Sequence, residues 1–137
     1  MVVSPLFDQP DLGRVLDGFT PAQLDEIPIG VIGLAADGRV RAFNKAEAEG
    51  SGYGMRPSLG LDFFGEVAPC MNNPLFKGRI ERAISAGTLD IVFNYVGDFD
   101  DAERELRFRV VSASDGGLWI LTDRSTGRSP ESARTAS

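Results

Sequence analysis

The side chain best equipped for covalent chemistry in this 137-residue chain is its single cysteine, Cys70, set in "VAPCMNNP". There is no histidine anywhere to activate it. A thiol reacts as the thiolate, so something must lower its pKa. Just after it comes "NNPLFKGRIERAISAG", which reads as a helix with Asn73 as N-cap, Pro74 at N1 and Gly87 as its stop. The partial positive charge at that helix start would favour the thiolate. Cys70 is thus either an acylatable nucleophile or a buried cysteine serving as a small hydrophobe. A second candidate is the "NKAE" stretch, where Asn44 opens a helix and Glu47 falls at N3 in a capping-box-like pair.

The missing residues exclude a good deal. Without histidine, Ser-His-Asp and Cys-His catalysis, most catalytic zinc sites and histidine-ligated haem are ruled out. No nucleophile–base pair can be assembled, so the chain is not expected to be an enzyme. A formal net charge of −6 opposes a nucleic-acid surface. No apolar run is long enough to span a membrane, and the N-terminus lacks the pattern of an export signal. One cysteine excludes an internal disulfide framework and fits a reducing, cytoplasmic setting. The acidic "GDFDDAE" lacks the ligand spacing of a calcium loop, and "GSGYG" is too short for a phosphate loop.

The elements that must position these residues follow from local pattern. "PDLGRVLDGF" and "FTPAQLDEI" read as two short helices, the second with Thr20 as N-cap, Pro21 at N1 and Gln23 at N3. "IPIGVIGLAADGRVRAFN" reads as a hairpin turning at Asp37-Gly38. "SLGLDFFGEVAPC" reads as a helical turn and a loop. In the helix after Cys70, Phe76, Ile80 and Ile84 share one face. "TLDIVFNYV", "RELRFRVVSA" and "GLWILTDR" read as a three-strand meander. Phe63, Phe64 and Phe76 are expected in the core, and Trp119 against the N-terminal helices. The sum is an α+β domain with a five-stranded antiparallel sheet, helices on one face and an N-terminal helical cap.

That order is the PAS layout, and "FNKAEAEGSG", "LDFFGEVAPCMNNPLFKGRIERAISAGTLDIVFNY" and "LWILTDR" together resemble the photoactive yellow protein family. The resemblance spans roughly residues 7 to 125. "VAPC" and the following "PLF…G" are its specific parts, whereas "DGR" and "FN" alone are common in PAS domains. The chain is thus expected to divide into an N-terminal helical cap over residues 1–28, a PAS core over 29–125 and a tail over 126–137 whose polar, aperiodic composition reads as disordered. The resemblance implies 4-hydroxycinnamic acid (p-coumaric acid) as a covalent thioester on Cys70, with Glu47 as buried proton donor to its phenolate. Ser51 takes the position of the hydroxyl that supports the phenolate network. Three positions depart from the family pattern. Phe43 stands where the family has a tyrosine on the phenolate, Tyr53 where it has a gating arginine, and the re-isomerising methionine is missing near Asp101.

On this resemblance the chain is a blue-light photoreceptor. Light would isomerise the pigment, Glu47 would lose its proton, and the N-terminal cap would loosen as the signal. No output domain is in the sequence, so the signal is expected to pass to a separate, unidentified signalling partner, with a homodimer as one arrangement. Two alternatives stay open: a pigment-free PAS interaction or dimerisation module, and a PAS sensor of another small ligand. Phe43 and Tyr53 favour the former; Cys70 and Glu47 favour the photoreceptor. The cysteine motif of flavin-binding PAS relatives is not seen.

Overall fold

Residues 10–50, 59–68, 71–87, 89–96 and 105–123 are described by the computed structural model. Ser51, Tyr53, Cys70, the loop around Asp101 and the polar tail lie outside the described residues. The elements run α1 (Leu12–Asp17), α2 (Pro21–Asp25), β1 (Gly30–Leu34), β2 (Val40–Phe43) and α3 (Lys45–Gly50). A π-helical turn (Phe63–Val67), α4 (Lys77–Ser85), β3 (Asp90–Val96), β4 (Glu105–Ser112) and β5 (Leu118–Asp123) follow. The strands form one antiparallel sheet in the order β2-β1-β5-β4-β3, so the first and last strands meet at its centre.

Local chemistry explains the boundaries. Thr20 Oγ1 accepts from the Gln23 N–H at 3.2 Å, and Gln23 Oε1 accepts from the Thr20 N–H at 2.8 Å, so both halves of the capping box are present. Gly38 supplies the positive φ of 88° that the β1–β2 turn requires, and Gly116 does the same at 95° between β4 and β5. Asn73 Oδ1 accepts from the backbone N–H groups of Leu75 and Phe76, which shapes a turn ahead of α4. The helix proper therefore starts at Lys77, later than the expected Pro74. Gly87 ends it at φ 92° as expected.

Because side chains alternate across a strand, the sheet has two buried faces. Ile32, Leu34, Phe108, Val110 and Ile120 point inward to a core completed by Phe63, Val67, Ala68, Met71, Phe76 and Ile80. Phe76 is its hub, making edge-on contacts with Phe64, Phe93, Tyr95 and Phe108 at centroid distances of 4.8–6.1 Å. Val31, Val111, Trp119 and Leu121 point the other way, against Leu12, Leu16 and Leu24 of the N-terminal cap. Helices thus cover both faces: the cap one, the later helical segments the other. The predicted apolar stripe of α4 holds for Phe76 and Ile80 but not for Ile84, which is 55% exposed while the neighbouring Ala83 packs against the core.

Candidate functional site

Of the predicted site residues, Phe43 and Glu47 are described, and Phe43 lies on the inner face. Phe43, the last residue of β2, sits opposite Ile32 and packs against the inner core. Ala68 and Met71, which bracket Cys70 in sequence, are 1% and 2% exposed and belong to that same core. Asn73 pins the following turn to the sheet by donating from Nδ2 to the Tyr95 hydroxyl at 2.7 Å. The chain on either side of Cys70 is therefore held against the inner face. Glu47, on the first turn of α3, is 1% exposed.

The surroundings of Glu47 turn on Asn44. Asn44 Oδ1 accepts from Glu47 N at 2.9 Å, the N-cap bond expected from sequence, and also from Val31 N at 2.9 Å. The reciprocal half of a capping box would need the Asn44 backbone N–H for the Glu47 carboxylate. That N–H instead donates to Val31 O at 3.0 Å. The Asn44 N–H is thus not the partner of the Glu47 carboxyl group. Asn44 does more than cap. Its Nδ2 donates to Leu24 O at 2.8 Å and Ile29 O at 3.0 Å, so a single buried amide joins the N-terminal cap, β1 and the helix that carries Glu47.

A second set of polar contacts fastens the cap from the outer face. Trp119 Nε1 donates to Asp17 Oδ1 at 2.9 Å, and Ser114 N donates to Asp17 Oδ2 at 3.0 Å. Burial alone would raise the Asp17 pKa, but these hydrogen bonds outweigh it and hold the carboxyl below its ordinary value. Arg41 pairs with Asp115 through both guanidinium branches and lies 5.9 Å from the Trp119 ring. The Arg41 hydrogen bond lowers Asp115 to about 2, and the same bond raises Arg41. Backbone packing adds to this: a Cβ on Gly13 would run into Ser112 O, so α1 lies directly on β4. A cleft of about 410 Å³ between α1 and the ends of β3 and β4 is the seam of this docking, on the outer face.

Whether the inner face suits a polar-ended ligand is tested by its buried polar atoms. Thr122 is 1% exposed, and its Oγ1 has no hydrogen-bond partner among the described residues. It shares the inner face with Ile120 and lies opposite Gly30 on β1 and Phe108 on β4. An apolar core has no use for such a hydroxyl, whereas a phenol-class ligand end does. The residues present fit. Sequence reasoning missed both Thr122 and the wider role of Asn44. The available signal was a hydroxyl at an inward position of the apolar run "LWILTD".

An antiparallel sheet in this strand order, with a helical segment feeding its inner face, defines a PAS-type domain. The PAS domain of Bordetella pertussis BvgS shares this fold, with a TM-score of 0.58 over 94% of this chain and 93% of that one at 16% identity. No family model matches the chain. It is 30% identical over 119 residues to the photoactive yellow protein of Rhodothalassium salexigens, covering 86% of this chain and 95% of that protein. It is also 30% identical over 105 residues to that of Rhodobacter capsulatus, covering 76% of this chain and 85% of that one. The photoactive yellow protein domain of the sensor histidine kinase Ppr from Rhodospirillum centenum superposes with a TM-score of 0.70 at 35% identity, over 80% of this chain and 96% of that domain. The chain belongs to the photoactive yellow protein family, a group of PAS photoreceptors. Among the described residues no helix is long and apolar enough to cross a membrane.

Proposed function

We propose that this chain is a blue-light photoreceptor that carries 4-hydroxycinnamic acid as a thioester on Cys70, with Glu47 as the acid that bonds its buried oxygen end. The observation that carries the reading is Glu47 itself, an acid buried to 1% exposure at the start of α3 whose carboxyl group is not bonded by the Asn44 N–H. Family membership and the burial of Ala68 and Met71 on either side of Cys70 support it. Phe43, Ser51 and Tyr53 complete the site in this reading. The bound pigment would supply visible absorption, isomerisation about its double bond and a phenolate oxygen.

The protein's own steps follow from charge burial. The Cys70 thiolate attacks the carbonyl carbon of an activated acyl donor; the sulfur–carbon bond forms and the activating group leaves with its electron pair. Glu47, kept neutral by burial, holds its proton as a hydrogen-bond donor in the dark. Under illumination Glu47 would give that proton to the ligand oxygen it bonds and be left as a carboxylate in a dry place. Such an uncompensated charge costs about 3–5 kcal/mol, a large share of the roughly 5–15 kcal/mol that stabilises a domain. Asn44 ties Glu47 N to Leu24 O and Ile29 O, so strain at α3 reaches the cap directly. Release of α1 and α2 would uncover the outer sheet face to a separate signalling partner, the chain itself being no enzyme. A cytoplasmic setting goes with this reading, because a thiol awaiting acylation must stay reduced.

The test is reconstitution of the purified chain with activated p-coumaric acid, followed by intact mass and visible spectrum. An adduct that Cys70→Ala abolishes, with a visible band bleached by blue light, is the expected result. Failure to form an adduct favours the second reading, a pigment-free interaction module. Phe43 is the observation on its side, since its ring packs into the apolar core and offers no hydroxyl.

A further inference from the structure

We infer that Thr122 is a further ligand contact of this site, its hydroxyl donating a hydrogen bond to the buried oxygen end of the phenol-class ligand; the inference rests on the reading just given. A buried hydroxyl without a partner is costly, because it has given up its bonds to water and gained none in return. Valine would fill the same space on a β-strand without that cost. The Thr122 Oγ1 atom is nonetheless buried on the inner face with no hydrogen-bond partner among the described residues.

Its place in the sheet says what it can serve. Thr122 lies opposite Gly30, which has no side chain to cover the hydroxyl from β1. The next residue along, Val31, is held through Asn44 Oδ1 to the backbone of Glu47. On the other side of β1, two residues further along, Phe43 faces the same core from its position opposite Ile32. Thr122 and Phe43 therefore face the inner core near the start of β1, where Asn44 also ties the backbone of Glu47. Of these, Phe43 offers no donor. A phenolate held there by Glu47 gains from a further hydrogen bond, and Thr122 offers an inward-facing hydroxyl without a partner among the described residues.

The contact has a spectroscopic sign. In the ground state a phenolate concentrates its charge on oxygen, and excitation moves that charge toward the acyl end. A donor at the oxygen stabilises the ground state more and moves the band to the blue, so its loss moves the band to the red. Thr122→Val is the test variant, with Thr122→Ser as the one that keeps the hydroxyl. Without ligand, Thr122→Val is expected to raise the melting temperature by a few degrees. After loading with activated p-coumaric acid that gain shrinks or reverses, and the band moves to longer wavelength; Thr122→Ser keeps the band near wild type. A lower melting temperature for the unloaded Thr122→Val protein, or a loaded one with an unmoved band, overturns the inference alone. A wild-type chain that takes up no acyl group overturns the pigment reading, and this inference with it.

Discussion

Phe43 and Asn44 are adjacent, yet they bear on the site in opposite ways. Phe43 brings an apolar ring to the inner core, where in the proposed site a hydroxyl would add a hydrogen bond to the ligand oxygen. Restoring it with Phe43→Tyr is expected to move the visible band of the reconstituted protein to the blue; an unchanged spectrum would refute its role. Asn44 satisfies two backbone donors and two backbone acceptors around it. Its replacement by alanine leaves these buried groups unpaired at about 1–3 kcal/mol each. Partial repair by water makes about 3 kcal/mol the expected loss for Asn44→Ala, read from urea unfolding. A loss below about 1 kcal/mol would mean the amide is not the joint described. The capping role of Asn44 was legible because N-caps are local; its bonds to Leu24 and Ile29 were not, because a sequence shows no partner fifteen to twenty residues away. Thr122 was invisible for a related reason: threonine suits any strand, and only the surrounding packing shows a hydroxyl without a partner.

In the proposed function the cap is the element whose attachment decides the signal. Leu12, Leu16 and Leu24 dock on Trp119 and Leu121 by apolar burial, while Asp17 fixes the position through Trp119 and Ser114. Both Asp17 and Asp115 have folded-state pKa values below their ordinary one near 3.8. A carboxyl lowered on folding adds stability above its unfolded pKa, and loses it as the pH falls through the folded one. The cap should therefore hold steady above about pH 4 and loosen as the pH falls below that and Asp17 protonates. The emission of Trp119, the chain's only tryptophan, should move to the red over that window. Asp17→Ala should show part of that shift already at neutral pH, at a cost near 1 kcal/mol for an exposed carboxylate. Emission that ignores both the acid and the mutation would remove Asp17 from the attachment. The two cap helices themselves were readable, since Thr20, Pro21 and Gln23 spell a capping box within four residues. The Asp17–Trp119 bond joins positions 102 apart and could emerge only from the fold. Ile84 misled because helical spacing records which side chains share a stripe, but not which edge of that stripe the core covers; Ala83 packs on it and Ile84 does not.

For the molecule as a whole, the strand order places β1 and β5 at the centre, with one apolar core on each side. Glu47 and Asn44 belong to the segment that leaves the sheet beside β1, and Asn44 is bonded to the cap on one side and to α3 on the other. A charge created at Glu47 is thus connected to the cap by hydrogen bonds through Asn44. The most direct test of that account is the light-minus-dark infrared difference spectrum of the p-coumaroyl-loaded protein, taken beside Glu47→Gln. The account predicts that illumination removes the carbonyl stretch of a protonated carboxylic acid, and that this loss is missing from the glutamine variant. A dark protein with no such stretch, or the same loss in both proteins, would contradict it.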